Sequence, residues 1–178
     1  MREIVRLAAA AAGVLACAAP AAAQTQSRPT APAALQPPAG QELVWRTAAV
    51  GVQIYRCDTG GAAGPAWAFV RPEAVLLDGE GQVIGIHFGG PTWTARDGSR
   101  VVGARVEGAD AANPDAIPWL LLRVTQHEGS GLLANVASVQ RLYTAGGNAP
   151  PAAECTAART GTVARVDYTA FYYFYRAP

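Results

Sequence analysis

The sequence contains no lysine, no charge excess and no apolar run long enough to cross a membrane, and each absence excludes a class of protein. All 14 basic residues of the 178-residue chain are arginines, which excludes Schiff-base chemistry and a lysine general base. Residues 1–23 hold two of the 14 basic and one of the 13 acidic residues, so the rest of the chain has no net charge. Because its arginines are scattered singly and phosphate binding needs a clustered positive face, we expect no nucleic-acid partner.

The first residues have the layout of a secretory signal. Arg2 and Arg6 precede an apolar run over residues 7–19, which is shorter than the roughly 20 residues of a membrane span. An Ala-x-Ala site ending at Ala23 suits signal peptidase. We therefore expect residues 1–23 to be a cleaved signal peptide and the mature protein to be periplasmic or extracellular, without a transmembrane segment. A lipoprotein anchored at Cys17 is the alternative.

The mature chain divides into a leader and one domain. Residues 24–41 contain four prolines and almost no large apolar side chain, a composition that predicts a disordered leader. Residues 42–178 consist of short apolar or alternating runs between Gly, Asp, Asn and Pro clusters, which predicts a single all-β domain. We expect a β-sandwich or flattened barrel of about eight to ten mostly antiparallel strands. The predicted strands are 51–57, 66–70, 73–77, 82–88, 92–95, 100–107, 119–127, 132–144 and 163–175.

Three turns between these strands have hairpin chemistry. Asp78 and Asp97 are each followed by glycine and then by a polar residue, and Asp-Gly provides the backbone conformation that tight hairpins require. A third hairpin is predicted at Gly129-Ser130-Gly131.

Two cysteines remain once the signal is removed. Cys57 and Cys155 form an even pair in a chain bound for an oxidising compartment, which favours a disulfide between them. The alternative, a nucleophilic cysteine, requires a partner histidine and an electropositive setting that the sequence around Cys57 does not show.

His87 is the histidine that the pattern singles out. Strand alternation places it on the face opposite Ile84, Ile86 and Phe88, so it faces either solvent or a polar cavity, or it is simply hydrogen-bonded at a strand end. Gly89-Gly90-Pro91 and then Trp93 follow it. His87 and Trp93 are candidate ligand-binding residues.

The last strand adds a further candidate. Aromatic side chains fall on both of its faces, which is typical of core packing or of an aromatic-lined pocket. Tyr173 is the candidate ligand-binding residue there. Trp67, Trp93 and Trp119 allow the same two interpretations, core or stacking platform.

The blocks "GVQIYRC", "AWAFVRPEAVLLDGEGQVIGIHFGGPTWTARDGSRVVG", "GLLANVASVQRLYTAGGNAP" and "YTAFYYFY" resemble the DUF3455 family of secreted bacterial and fungal proteins. The resemblance covers roughly residues 48–175 and implies a unit of structure. That family is uncharacterised, so the resemblance implies no catalytic residues. Some of its members carry a malate dehydrogenase label, but "GIHFGGP" lacks the Gly-x-Gly-x-x-Gly spacing of a dinucleotide site.

Motifs for common chemistries are missing. No serine lies in a Gly-x-Ser-x-Gly turn, and neither His87 nor His127 has a second histidine at i+2 or i+4, so we expect no metal and no cofactor. A site built from both histidines with Asp97 or Glu128 would need neighbouring strands.

Three functions stay open. An exported module that binds a small molecule or an envelope component comes first. The second is a hydrolase or isomerase with His87 as general base, assisted by Asp97 or Arg141, and the third is a purely architectural envelope protein. Nothing in the sequence indicates an oligomeric state.

Overall fold

Eight antiparallel strands form one sheet that closes on itself, with each strand paired to its neighbours along the chain and β1 paired to β8. The computed structural model describes residues 27–60 and 64–178, so the predicted signal peptide lies outside the described residues. In this part of the chain the only helices are short 3-10 turns, at Ala33–Leu35, Ala152–Glu154 and Ala157–Arg159. The strands are β1 Glu42–Asp58, β2 Ala66–Leu77, β3 Val83–Phe88, β4 Thr92–Ala95, β5 Arg100–Ala109, β6 Trp119–Glu128, β7 Val136–Gly146 and β8 Val163–Arg176.

The all-β prediction is confirmed, and of the two architectures expected the barrel is the one present. Two predicted strands, 66–70 and 73–77, are a single strand, β2. Its pairing with β1 shifts beside Val70, and β3 joins only from Glu73 onward. Pro72 therefore lies where β2 has a neighbour on one side only, the position in a sheet where a proline is tolerated.

The two Asp-Gly turns connect antiparallel neighbours as predicted. Asp78 Oδ1 accepts hydrogen bonds from the backbone amides of Glu80 and Gln82 between β2 and β3. In the β4–β5 turn, Gly98 has a φ of +85°, a conformation that costs glycine little. The predicted turn at Gly129 joins β6 to β7.

The aromatic residues of β8 divide between the two faces of the sheet. Tyr168, Tyr172 and Phe174 pack inside the barrel with Trp45 and Trp93. The alternate row packs outside in a second cluster, which contains Tyr173, Tyr175, Leu121, Leu142 and Leu35.

Leu35 belongs to a segment that crosses the outer face of the barrel. Its side chain is fully buried, and its carbonyl accepts a hydrogen bond of 2.6 Å from Gln140 Nε2. Tyr143 donates to the Thr30 carbonyl, and the Arg28 guanidinium lies over the Tyr175 ring. Residues 27–41 thus differ from the predicted disordered leader, because the outer aromatic row of β8 gives Leu35 an apolar surface to cover. We call residues 27–41 the strap.

A disulfide joins Cys57, at the end of β1, to Cys155 in the connection between β7 and β8, with the two Cα atoms 5.3 Å apart. The predicted pairing is confirmed. In the described part of the chain, no helix is long and apolar enough to span a membrane.

Candidate functional site

A cavity of about 180 Å³ lies inside one end of the barrel, and side chains from all eight strands line it. Its wall includes Phe69 and Val70, which are 56 % and 41 % exposed, so the cavity reaches the surface beside β2. The deeper wall is formed by Gln53, His87, Trp93, Leu122, Arg141 and Tyr172.

Strand register places His87 and Trp93 together. The two residues are direct partners across β3 and β4, and their rings stack with centroids 4.6 Å apart and planes 12° from parallel. On β5, Gly103 leaves space for this pair, since a Cβ there would come within 3.0 Å of the Trp93 ring. Gly85 and His87 are buried while Ile86 is exposed, as the alternation predicted. The prediction was wrong for Ile84, which packs against the inner core because the pairing of β2 with β3 shifts beside it.

His87 is a neutral group in this setting. It is 3 % exposed, and its Nδ1 lies 2.8 Å from the Thr92 carbonyl oxygen. A carbonyl only accepts, so Nδ1 carries the proton and Nε2 is left as an acceptor. Burial lowers the pKa of His87 to about 3, with the Thr92 hydrogen bond opposing and the Arg141 charge assisting.

Arg141 brings a positive charge to the same interior. It lies on β7 opposite Leu120 of β6 and Tyr172 of β8, and residues paired in this way present side chains to one face. Its Nε and Nη2 donate to the Pro118 carbonyl, at 3.2 and 2.8 Å. Within residues 27–60 and 64–178, Arg141 forms no ion pair.

Three polar side chains of the cavity wall are buried without a hydrogen-bond partner among the described residues. They contribute Gln53 Nε2, Trp93 Nε1 and the Tyr172 hydroxyl, and each side chain is at most 2 % exposed. Burial raises the pKa of Tyr172, while the nearby Arg141 and Tyr168 side chains oppose the shift as donors towards its oxygen, so its hydroxyl stays protonated and can donate. The cavity therefore presents several unused donors.

Two predicted site residues lie elsewhere. Asp97 does not line the cavity. It holds the β4–β5 turn to the loop after β6 by accepting hydrogen bonds from Ser99 and from the backbone amide of Leu132, and the Leu132 bond is the main reason that its pKa is lowered. Tyr173 packs on the outer face of the barrel, where the Arg46 guanidinium lies 5.9 Å from its ring centroid.

The structure brings together His87, Trp93 and Arg141 of the predicted set and adds Gln53 and Tyr172. Tyr172 was missed because both rows of β8 are aromatic. Gln53 carried no signal of its own, since a glutamine between valine and isoleucine in an antiparallel strand usually faces solvent.

The other tryptophans and His127 are not part of this cavity. Trp67 donates to the Pro151 carbonyl, and Trp119 packs edge-on against Tyr143 on the outer face. His127 Nε2 lies 2.7 Å from the Val136 carbonyl oxygen. In the portion of the chain that the structure describes, no group of three or more His, Cys, Asp or Glu side chains is placed to hold a metal ion.

These features define a class: an eight-stranded antiparallel barrel with a cavity at one end, whose mostly apolar wall contains a few buried polar side chains. The sequence matches DUF3455, described as a protein of unknown function, over residues 38–176. The match covers most of the chain, so the protein belongs to the DUF3455 family, as the resemblance predicted. No curated protein and no solved structure matches the chain.

Proposed function

We propose that this protein binds a small molecule in the barrel cavity and has no catalytic step of its own there. The observation that carries the proposal is the set of unpartnered donors on Gln53, Trp93 and Tyr172. A buried polar group without a partner costs about 1–3 kcal/mol. A fold that keeps three of them beside one cavity is best explained if a ligand accepts their hydrogen bonds.

The size and the entrance of the cavity favour a small ligand. Drug-sized ligands occupy pockets of about 300–1,000 Å³, whereas this cavity measures about 180 Å³. Phe69, Val70 and the exposed Arg105 surround the opening, so a ligand can enter without displacing a strand.

The state of His87 favours binding over general-base catalysis. An efficient base has a pKa near the working pH, and burial lowers that of His87 to about 3. Of the two residues expected to assist it, Asp97 is not in the cavity, and Arg141 is in the wall as a cation that lowers the pKa of His87 further. Stacked on Trp93, His87 instead offers a hydrogen-bond acceptor to a ligand. A purely architectural role does not explain why buried donors in the cavity wall have no hydrogen-bond partner.

We also propose that the protein works in the periplasm or outside the cell. Support comes from the Cys57–Cys155 disulfide, because such bonds persist in oxidising compartments. Mass spectrometry of the protein isolated from cells tests this proposal: a chain that starts at Gln24 indicates a cleaved signal, and a lipid on Cys17 indicates an anchored form. An uncleaved chain in the cytoplasm would contradict export.

A thermal-shift screen of the unreduced protein against a library of neutral, anionic and cationic fragments tests ligand binding. We expect a subset of fragments to raise the melting temperature of the wild type. Tyr172→Phe should weaken their binding about tenfold, while the ligand-free variant stays at least as stable, because a buried unpartnered hydroxyl has been removed.

Tyr175→Phe is the matched control on the same strand. Its hydroxyl donates to Gln140 Oε1 at 2.5 Å outside the barrel, so this variant should lose stability and keep fragment binding. If no fragment shifts the wild type, the proposal fails. If Tyr172→Phe and Tyr175→Phe bind the fragments equally, the ligand site lies elsewhere.

A further inference from the structure

The charged side chains of the cavity wall indicate the class of ligand that the cavity binds. The wall contains three arginines, Arg71, Arg105 and Arg141, and no aspartate or glutamate. Arg71 is exposed and shares the Glu73 carboxylate with Arg165, each at 2.6 Å, and Arg105 is exposed to solvent at the opening. Arg141 is therefore the cation in the wall that is partly buried and has no carboxylate partner within residues 27–60 and 64–178.

A charge that is partly withdrawn from water and lacks a counter-charge is destabilised, and Arg141 is half-buried and only partly compensated. The Pro118 carbonyl that accepts from Nε and Nη2 is neutral, so it does not balance the charge. Tyr172 lies directly across from Arg141 on β8, and its hydroxyl has no acceptor among the residues described. An anion between these two side chains would satisfy both.

The remaining polar groups indicate a ligand with more acceptors than donors. Gln53 Nε2 and Trp93 Nε1 are further unpartnered donors of the same wall, whereas the acceptor left on His87 is a single ring nitrogen. A cationic or donor-rich ligand would leave Arg141 unpaired and add repulsion to it.

We infer that the ligand is a small monocarboxylic acid, bound as its carboxylate by Arg141 and Tyr172, with an apolar or aromatic body. This inference rests on the proposed small-molecule binding. A single interior guanidinium matches a single negative charge, and guanidinium–carboxylate pairs form short, charge-assisted hydrogen bonds. Leu120, Leu122 and the ring of Trp93 provide the apolar walls against which the body packs.

Matched ligand pairs test the charge directly. Isothermal titration of the full, unreduced exported protein would compare benzoate with benzamide and benzylamine, and hexanoate with hexanamide. Each set keeps the body and changes only the head group. We expect each carboxylate to bind at least about tenfold more tightly than its amide, and benzylamine not to bind.

The result in the wild type decides the inference without any variant. If the amides or the amine bind as tightly as the carboxylates, or if only neutral or cationic fragments of the wider library bind, the carboxylate is excluded while ligand binding stands. If neither these probes nor any library fragment binds, both proposals fail. If inorganic phosphate binds more tightly than benzoate, the anion is a phosphate and the inference is overturned.

Arginine variants then test which arginine binds the carboxylate. Arg141→Gln should reduce the benzoate-to-benzamide preference to about one, and Arg141→Lys should restore part of it because the charge returns. Arg123→Gln is the control, since Arg123 is an exposed arginine of β6 that does not line the cavity, and it should keep the full preference. An unchanged preference in a folded Arg141→Gln protein would contradict the assignment of Arg141.

Discussion

Replacing His87 by asparagine should change how the stability of the protein depends on pH. The unfolded histidine titrates near pH 6.5, while burial lowers the pKa of the folded one to about 3. Between these values the unfolded chain binds one proton more than the folded chain, so stability falls as the pH falls, by about 1.4 kcal/mol per pH unit. This contribution is fully present above pH 6.5 and is lost progressively towards pH 3.

Asparagine is the matched replacement, because its amide nitrogen can still donate to the Thr92 carbonyl in place of Nδ1 but cannot titrate. At pH 7 the variant should be less stable by about 2 kcal/mol, since it loses the packing of the ring on Trp93. Between pH 7 and pH 4.5 the wild type should lose about 2.5 kcal/mol of stability relative to the variant, so the difference should vanish and the variant should become slightly the more stable protein at pH 4.5.

Urea unfolding at constant ionic strength over this pH range measures the difference, and the contributions of all carboxylates cancel between the two proteins. Nitrogen chemical shifts of the His87 ring at pH 5 provide an independent check and should show a neutral ring protonated on Nδ1. A stability difference that stays constant from pH 7 to pH 4.5 would refute the reasoning, because His87 would then titrate alike in the folded and unfolded chains.

Three further predictions concern the scaffold. Changing Cys57 and Cys155 together to serine should reduce the free energy of unfolding by about 4–5 kcal/mol, given a loop of 98 residues, and the unreduced wild type should show no free thiol from this pair on thiol titration. Leu35→Ala should cost about 3 kcal/mol in urea unfolding, whereas wild-type stability would mean that the strap does not hold to the barrel. Asp97→Ala should lower the melting temperature, because the Leu132 amide loses its acceptor, without changing benzoate affinity; a weaker affinity would place Asp97 in the site after all.

Local sequence patterns predicted the parts of this molecule that depend on near neighbours. The two Asp-Gly pairs predicted two of the hairpins, and strand alternation predicted that His87 and Ile86 lie on opposite faces of the sheet. Alternation could not tell which face was inside, and here the usual rule is reversed, since Ile86 is 46 % exposed and His87 is buried.

Features that depend on the pairing of distant strands could not be predicted from the sequence. Tyr172 and Tyr173 are adjacent aromatic residues, and only the register of β8 against β7 determines that Tyr172 faces Arg141 inside the barrel. That register also shifts between Leu142 and Ala145, a bulge that no pattern in the sequence marks. The strap was missed because its composition is that of a disordered segment, while its attachment depends on partners in β7 and β8 that lie more than 100 residues away along the chain, as in the contacts of Leu35, Thr30 and Arg28.

The seam between β1 and β8 has a consequence for the order of folding events. Every other strand pairing forms between neighbours along the chain, but this one joins residues as distant as Glu42 and Arg176. Chain entropy makes such a closure slow. Cys57 and Cys155 flank the same seam, so an oxidised unfolded chain already holds its first and last strands near each other. The oxidised chain should therefore refold faster than the reduced one, and the disulfide acts on the rate of ring closure as well as on stability.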